Sequence, residues 1–236
     1  MPGALARLTV VVPVGPSDRV SPQLCKQLSA LPAQAQVHVV GCEATGEAIT
    51  LSPDASAGPQ WQCLLAPRGR ASQQNAGAVA ATRDWLWFLH ADAALAADTL
   101  PALARFIDTH AGPDARALGY FDLRFIDDGP ALTRLNAWGA HVRSRVFGLP
   151  FGDQGLVLPR AAFEALGGFD PGIVCGEDHD LVWRARRAGL PAHAVGAPLY
   201  TSARKYAQRG WWPTTAWHLR ETWRQARQFS RAKNAL

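Results

Sequence analysis

The sequence predicts an α/β fold in which a mostly parallel central sheet is flanked by helices, and three observations carry that expectation. Short β-branched or aromatic runs alternate with helix-period segments along most of the 236 residues. Two of these runs, LTVVVPV (8–14) and DWLWFLH (84–90), are almost continuously apolar, as strands buried on both faces of a parallel sheet are. Apolar residues make up 48% of the chain, enough at this length to fill a sizeable core, which excludes disorder over most of it.

Taken in order, LTVVVPV closes on GPSD and a helical segment follows over about 20–31. QVHVVG (36–41) and WQCLLAP (61–67) read as the next strands, separated by an irregular polar stretch containing Pro, Gly and Ser. RASQQNAGAVAATR (70–83) reads as a helix with Ala76, Val79 and Ala80 at core-facing spacing. DWLWFLH is the next strand, and ADTLPALARFIDTH (97–110) the next helix, capped by Asp98 or Thr99. ALGYFDLRFID (117–127) is an alternating strand, a helix follows around 131–146, and a short strand runs over about 193–200. Ligands of such sheets bind beyond the carboxyl ends of the strands, where FLHAD (88–92) falls. No repeat or linker interrupts the chain, which divides into a domain over 1–205 and a C-terminal helical extension over 206–236.

A net charge of +5 favours anionic partners such as nucleotides, phosphates or acidic lipid surfaces. Cys25, Cys42, Cys63 and Cys175 are widely separated and form no CxxC pair, so they read as small buried hydrophobes of a reducing compartment. The N-terminus does not fit a secretory signal, and no apolar run reaches the roughly 18–20 residues needed to span a bilayer. A soluble or peripheral protein of the cytoplasm is expected. There is no GxxxxGK[ST] and no GxGxxG, which argues against an ATPase or a dehydrogenase.

Four groups of residues have the composition of chemistry. His90 and Asp92 alternate on extended backbone, so both point to one side, where a carboxylate and an imidazole can hold a divalent cation or order phosphates. Taken alone, the pair reads as an aspartate satisfying loop amides beside a partly buried ring. Arg68 and Arg70 precede a helix N-terminus with Asn75 and Gly77 inside it, an arrangement suited to phosphate, although such arginines are commonly just solvated. Glu177, Asp178 and Asp180 stand at a loop-to-helix junction, either complementing the helix dipole or supplying a general base. Asp153 lies between Gly152 and Gly155, which allow close backbone approach. Further on, Ala216, Leu219, Trp223 and Ala226 recur beside Arg220, Arg224, Arg227 and Arg231, which describes a basic amphipathic helix. It can pack on the domain or a second subunit, or lie on a membrane surface.

In order and spacing, GRASQQNAGA (69–78), FLHAD (88–92), GDQGLVLPRAAFEALGGF (152–169) and GEDHDL (176–181) resemble the motifs of the family 2 glycosyltransferases of the GT-A fold, in particular a bacterial subgroup with a HAD variant of the DxD motif. The resemblance covers about residues 8–200. It implies transfer of a sugar from a UDP- or GDP-sugar to an acceptor hydroxyl, with inversion and with Mg²⁺ or Mn²⁺. It further implies that Pro13 and Val14 in VPVGPSD (12–18) hold the nucleotide, with Glu43 in GCEATG (41–46) the acid available to the base. Arg70 and Asn75 join the substrate site, Asp92 takes the metal, and His90 stands second to it. Asp178 becomes the catalytic base and Glu177 positions the acceptor, while Asp153 and Gln154 line the acceptor side and Arg204 reaches the leaving diphosphate. No nucleic-acid partner is implied. The C-terminal helix is left for contact with the inner face of a membrane or for a homo-oligomer. Two readings share the architecture: a catalytically silent nucleotide-binding or assembly module, and a sugar nucleotidyltransferase, whose Gly-rich basic first loop VPVGPSD lacks.

Overall fold

The computed structural model describes residues 3–16, 18–43, 58–112 and 115–231. Most of the stretch expected to be irregular between the second and third strands, including the end of GCEATG, lies outside the described residues. The chain runs α1 (Gly3–Ala6), β1 (Leu8–Pro13), α2 (Pro22–Leu28), β2 (Gln36–Cys42), β3 (Gln60–Ala66), α3 (Arg70–Val79), β4 (Trp85–Phe88), β5 (Ala94–Leu95) and α4 (Thr99–His110). It continues with β6 (Leu118–Phe125), α5 (Thr133–Phe147), a 3₁₀ turn at Gly152–Gln154, β7 (Val157–Pro159), α6 (Arg160–Ala165), α7 (Glu177–Arg187), β8 (Ala192–Thr201), α8 (Arg204–Arg209) and α9 (Trp211–Arg231).

The strands form one sheet in the order β3-β2-β1-β4-β7-β6-β8-β5. From β3 to β4 every pairing is parallel. Beyond β4 the sheet is mixed: β7 is antiparallel to both β4 and β6, β6 and β8 are parallel, and β5 closes antiparallel on β8. The expected parallel character therefore belongs to one half of the sheet. β5 and β7, with two and three residues, are too short to leave a periodic signature in the sequence.

Alternation along the central strands divides the core between two helical layers. Val10 and Val12 of β1, with Trp85, Trp87 and Leu89, join Leu24 and Leu28 of α2 and Leu103 and Ile107 of α4. On the other face Val11, Leu86 and Phe88 meet Ala71 and Ala78 of α3, Phe163 of α6 and Leu181 of α7. Among the cysteines only Cys42 is buried, while Cys63 and Cys175 are exposed, so the expectation of four buried thiols holds for one of them.

The orientation of α3 corrects the sequence reading. Its buried positions are Ala71, Gln73, Gln74, Gly77 and Ala78, and Val79, expected in the core, is 86% exposed. Gly77 sets this register. A Cβ there would sit 2.5 Å from Val11 Cγ1 and 3.1 Å from Val40 Cγ2, so only glycine brings the helix this close to β1 and β2. Two polar contacts secure the approach: the His38 ring bonds the Gly77 carbonyl through Nδ1 at 2.8 Å, and Gln73 Nε2 donates to the carbonyls of Val14 at 2.7 Å and Val40 at 2.8 Å. The helix thus turns a glutamine inward, where it meets the Val14 carbonyl and shares the Val40 carbonyl with the Val14 N–H.

Gly77→Ala forces a methyl into this contact. Overpacking costs about 1–3 kcal/mol and helix propensity returns about 1 kcal/mol, so a net loss of up to about 2 kcal/mol is expected. Urea unfolding at an unchanged m value measures it.

Candidate active site

Five segments meet at the carboxyl ends of β1 and β4: those two strand ends, the first turns of α3 and α7, and the Gly152–Gln154 turn. Arg70, the first residue of α3, is their common point. Its Nε donates to Glu177 Oε1 at the start of α7, and its Nη1 lies 3.2 Å from His90 Nε2 just beyond β4. Glu177 Oε2 also accepts the Gly176 N–H at 3.1 Å. Next to it, Asp178 Oδ2 accepts the N–H of Gly152. A Cβ on Gly152 would fall 2.8 Å from that same oxygen, so the glycine is what admits the carboxylate to the backbone.

Burial and neighbouring charge set the protonation of this cluster. Burial alone would raise the Asp178 carboxyl, but His179, Arg70, the Gly152 N–H and His90 hold it down to about 2. Burial, reinforced by Arg70, pushes the His90 imidazole down to about 4 against the pull of Asp92 and Asp178; Lys205 adds to the depression. His179 is also brought to about 4 by burial, its ring lying against Phe151 with centroids 3.3 Å apart. Both rings are neutral at neutral pH. Burial raises the Asp153 carboxyl, with Arg143 opposing and Asp178 adding to the rise, and its buried Oδ1 makes no hydrogen bond. Burial raises Glu177 too, against the Arg70 guanidinium that bonds it.

The residues singled out in the sequence fall into two groups. Arg70, His90, Asp92, Asp153, Glu177 and Asp178 act on one another electrostatically within one cluster. Others are engaged within the protein. Asn75 pairs with the backbone of Phe169, donating to its carbonyl at 2.8 Å and accepting its N–H at 2.9 Å. Gln154 is fully buried: Oε1 accepts from Arg143, Ser144 and the Phe151 N–H, and Nε2 donates to the Phe121 carbonyl at 3.0 Å. Its complete burial turns it away from an acceptor, which corrects the expectation that it lines the acceptor side. Pro13 and Val14 are buried, and the Val14 backbone is bonded at both N–H and carbonyl. Glu43 is exposed at the end of β2. Arg204 is exposed with its backbone N–H on Ser202, whereas the charge of the adjacent Lys205 acts on His90.

Sequence reasoning assigned no role to Gln73, Arg143, His179 or Lys205. The first sits inside GRASQQNAGA and the third inside GEDHDL, so spacing could have flagged them. Arg143 carries no local signal: it is a mid-helix arginine of α5, brought by the fold over the Phe151 ring at 3.2 Å and lowered by burial to about 10.

The mixed sheet flanked by helices that carries this cluster is an α/β fold shared with glycosyltransferases. TarS 1–349 of S. aureus in complex with UDP is similar with a TM-score of 0.56 at 15% identity, over 83% of this chain and 60% of that one. The same TarS fragment in complex with UDP-GlcNAc gives a TM-score of 0.56 at 15% identity, over 83% of this chain and 58% of that one. The mannosyltransferase PcManGT from Pyrobaculum calidifontis, in complex with GDP-Man and Mn²⁺, gives 0.55 at 18% identity, over 82% and 56%. The likeness is one of fold, and the chain spans about three-fifths of the chains it matches. No family model and no curated protein matches the sequence.

The two depressed imidazoles carry a consequence for stability. Each binds its proton less readily folded than unfolded, so stability is complete above the unfolded value of 6.5 and is lost as pH falls from there towards about 4. His179→Gln should remove part of that slope, as read from urea midpoints across this window.

Proposed function

We propose that the protein transfers a sugar from a nucleotide-diphosphate sugar, UDP- or GDP-linked, to an acceptor hydroxyl with inversion. The observation that carries this reading is the convergence on one strand-end site of the Arg70 guanidinium, bonded to Glu177 and beside His90, with the Asp178 carboxylate seated on the Gly152 N–H. Solved structures of the same fold are in complex with UDP, UDP-GlcNAc and GDP-Man.

The chain's own groups divide the work. Asp178 is the base: it stays ionised, and the attacking hydroxyl becomes strongly acidic as its oxygen bonds the anomeric carbon, so a weak base in the right place suffices. Glu177, fixed by Arg70 and the Gly176 N–H, positions the acceptor. Asp153 lines the acceptor side, within the fields of Arg143 and Asp178. Arg70 and Lys205 face the diphosphate, Lys205 in place of the neighbouring Arg204. Glu43 meets the nucleobase from the end of β2, and the backbone at Pro13 and Val14 frames the nucleotide at the end of β1.

Among the described residues no group of three or more His, Cys, Asp or Glu can hold a metal ion. Asp92 offers a carboxylate that fits Mg²⁺ or Mn²⁺ once substrate phosphates and water supply the remaining oxygens, while His90, expected to stand second to it, faces Arg70 Nη1 at 3.2 Å through Nε2. Bound there, the ion would neutralise charge on the departing diphosphate.

The test is thermal stabilisation by UDP- and GDP-sugars with and without Mn²⁺, followed by turnover of the best binder. Asp92→Ala should abolish the Mn²⁺-dependent part of nucleotide binding. Asp178→Asn should keep binding and lose turnover by at least about 100-fold, the contribution of a positioned base. If no nucleotide shifts the melting temperature, the transferase reading falls. Binding without turnover in the parent protein would favour the silent module instead.

A further inference from the structure

The strand-end site leaves one large feature of the molecule unused. On the solvent side of α9, Trp212, Leu219 and Trp223 are 75%, 66% and 58% exposed, and with Ala216 they recur at intervals of four, three and four residues along one stripe. α5 carries a second stripe of Leu135, Trp138, Val142 and Val146, with Trp138 68% exposed. The two helices are joined through Asn136, which accepts from Trp211 Nε1 at 2.7 Å and donates to Thr215 Oγ1 at 3.1 Å. Exposed apolar surface on this scale marks a contact site.

Charge identifies the occupant. Arg220, Arg224 and Arg227 flank the α9 stripe, and the helix holds a single acid, Glu221, ion-paired to Arg224 at 2.7 Å. On α5, Arg134 is exposed, while Arg143 is turned into the site over the Phe151 ring and Arg145 pairs with Asp122 at 3.2 Å. A second copy laid symmetrically on this face would bring the α9 arginines, which outnumber its one carboxylate, Glu221, against their own copies. Lipid phosphates answer the same arginines favourably, and tryptophan is the side chain best suited to the level of the headgroups. The Arg227 guanidinium already lies 3.4 Å from the centroid of the Trp223 ring, so the ring can enter the interface with its cation at the phosphate level. No helix among the described residues is long and apolar enough to cross a membrane, which leaves the interfacial plane.

We propose that α9, with the adjoining stripe of α5, docks the protein on the surface of an anionic lipid bilayer. The placement stands on the helix faces and on no assumption about what the site transfers. The inner side of α9 packs on the site's own scaffold: Gln225 Nε2 donates to the Cys175 carbonyl at 3.1 Å, in the turn that leads into Glu177. Docking therefore holds the carboxylate turn close to the lipid surface.

Co-sedimentation with vesicles of phosphatidylcholine, alone or mixed with phosphatidylglycerol, tests the proposal. Binding to the anionic vesicles is expected, weakening with added salt. Arg220→Gln with Arg227→Gln should reduce it about 25-fold, each basic residue near such a surface being worth about fivefold. Trp212→Ser with Trp223→Ser should abolish it without altering the circular dichroism or the nucleotide-induced thermal shift. Failure of the parent protein to bind anionic vesicles at low salt would overturn the proposal. So would binding that ignores both sets of substitutions, or a dimer in light scattering that the tryptophan substitutions dissociate, which assigns the face to a second copy.

Discussion

The side chain of Glu177 is only 3% exposed, and the site is organised around the need to compensate that carboxylate. A buried carboxylate without a partner costs several kcal/mol or gives up its charge. Arg70 supplies the partner from 107 residues away in sequence, so the pair ties the parallel half of the sheet to the C-terminal half. Two glycines make the meeting geometrically feasible: Gly69, at φ 136°, starts α3 and Gly176, at φ 93°, starts α7, both in backbone regions that other residues enter only with strain. Neither helix begins on a side-chain cap, so their first-turn amides and positive dipole ends remain directed at the same cluster.

Arg70 also explains why the end of β4 takes the form it does. Its second nitrogen faces His90, whose ring is neutral because burial and this same guanidinium disfavour a second positive charge. A neutral ring beside a guanidinium can accept a hydrogen bond from it, whereas an aspartate at that position would compete with Glu177 for the same cation. The histidine in FLHAD thus leaves Arg70 committed to Glu177, and Asp92 keeps its carboxylate for other partners.

Much of this was legible as residue types and little of it as contacts. The long elements β1, β2, β4, α4 and α5 follow from their periodicity, because each is several residues of consistent pattern. The antiparallel β7 was not legible: its direction is set by where the Gly152–Gln154 turn seats against Asp178, a contact across 26 residues. GRASQQNAGA was recognised as a unit, yet most of its letters are joints between segments. Arg70 reaches α7, Gln73 the ends of β1 and β2, Asn75 the turn at Phe169, and Gly77 lets the helix approach β1. Spacing states which side chains share a helix face; it does not state which distant segment stands opposite. Asn75 meets a partner 94 residues on, and Gln154 is enclosed by α5 and β6, so neither could be told from a ligand-facing residue by sequence alone.

The C-terminal helix shows the same limit from the other direction. Its amphipathic pattern was readable, but the pattern does not reveal that the buried side carries Gln225 against the carboxylate turn. A Cβ on Gly176 would lie 2.5–2.6 Å from the Gln225 amide, so the turn that introduces Glu177 and Asp178 is closed over by α9 itself. The position of the two carboxylates is therefore shared between α7, which carries them, and α9, which braces the residue before them. The contact of α9 falls on Cys175 and Gly176, the residues immediately before Glu177. The surface helix and the buried ion pair thus meet at one backbone joint, and glycine is the residue type that takes its positive φ without strain while leaving room for the Gln225 amide.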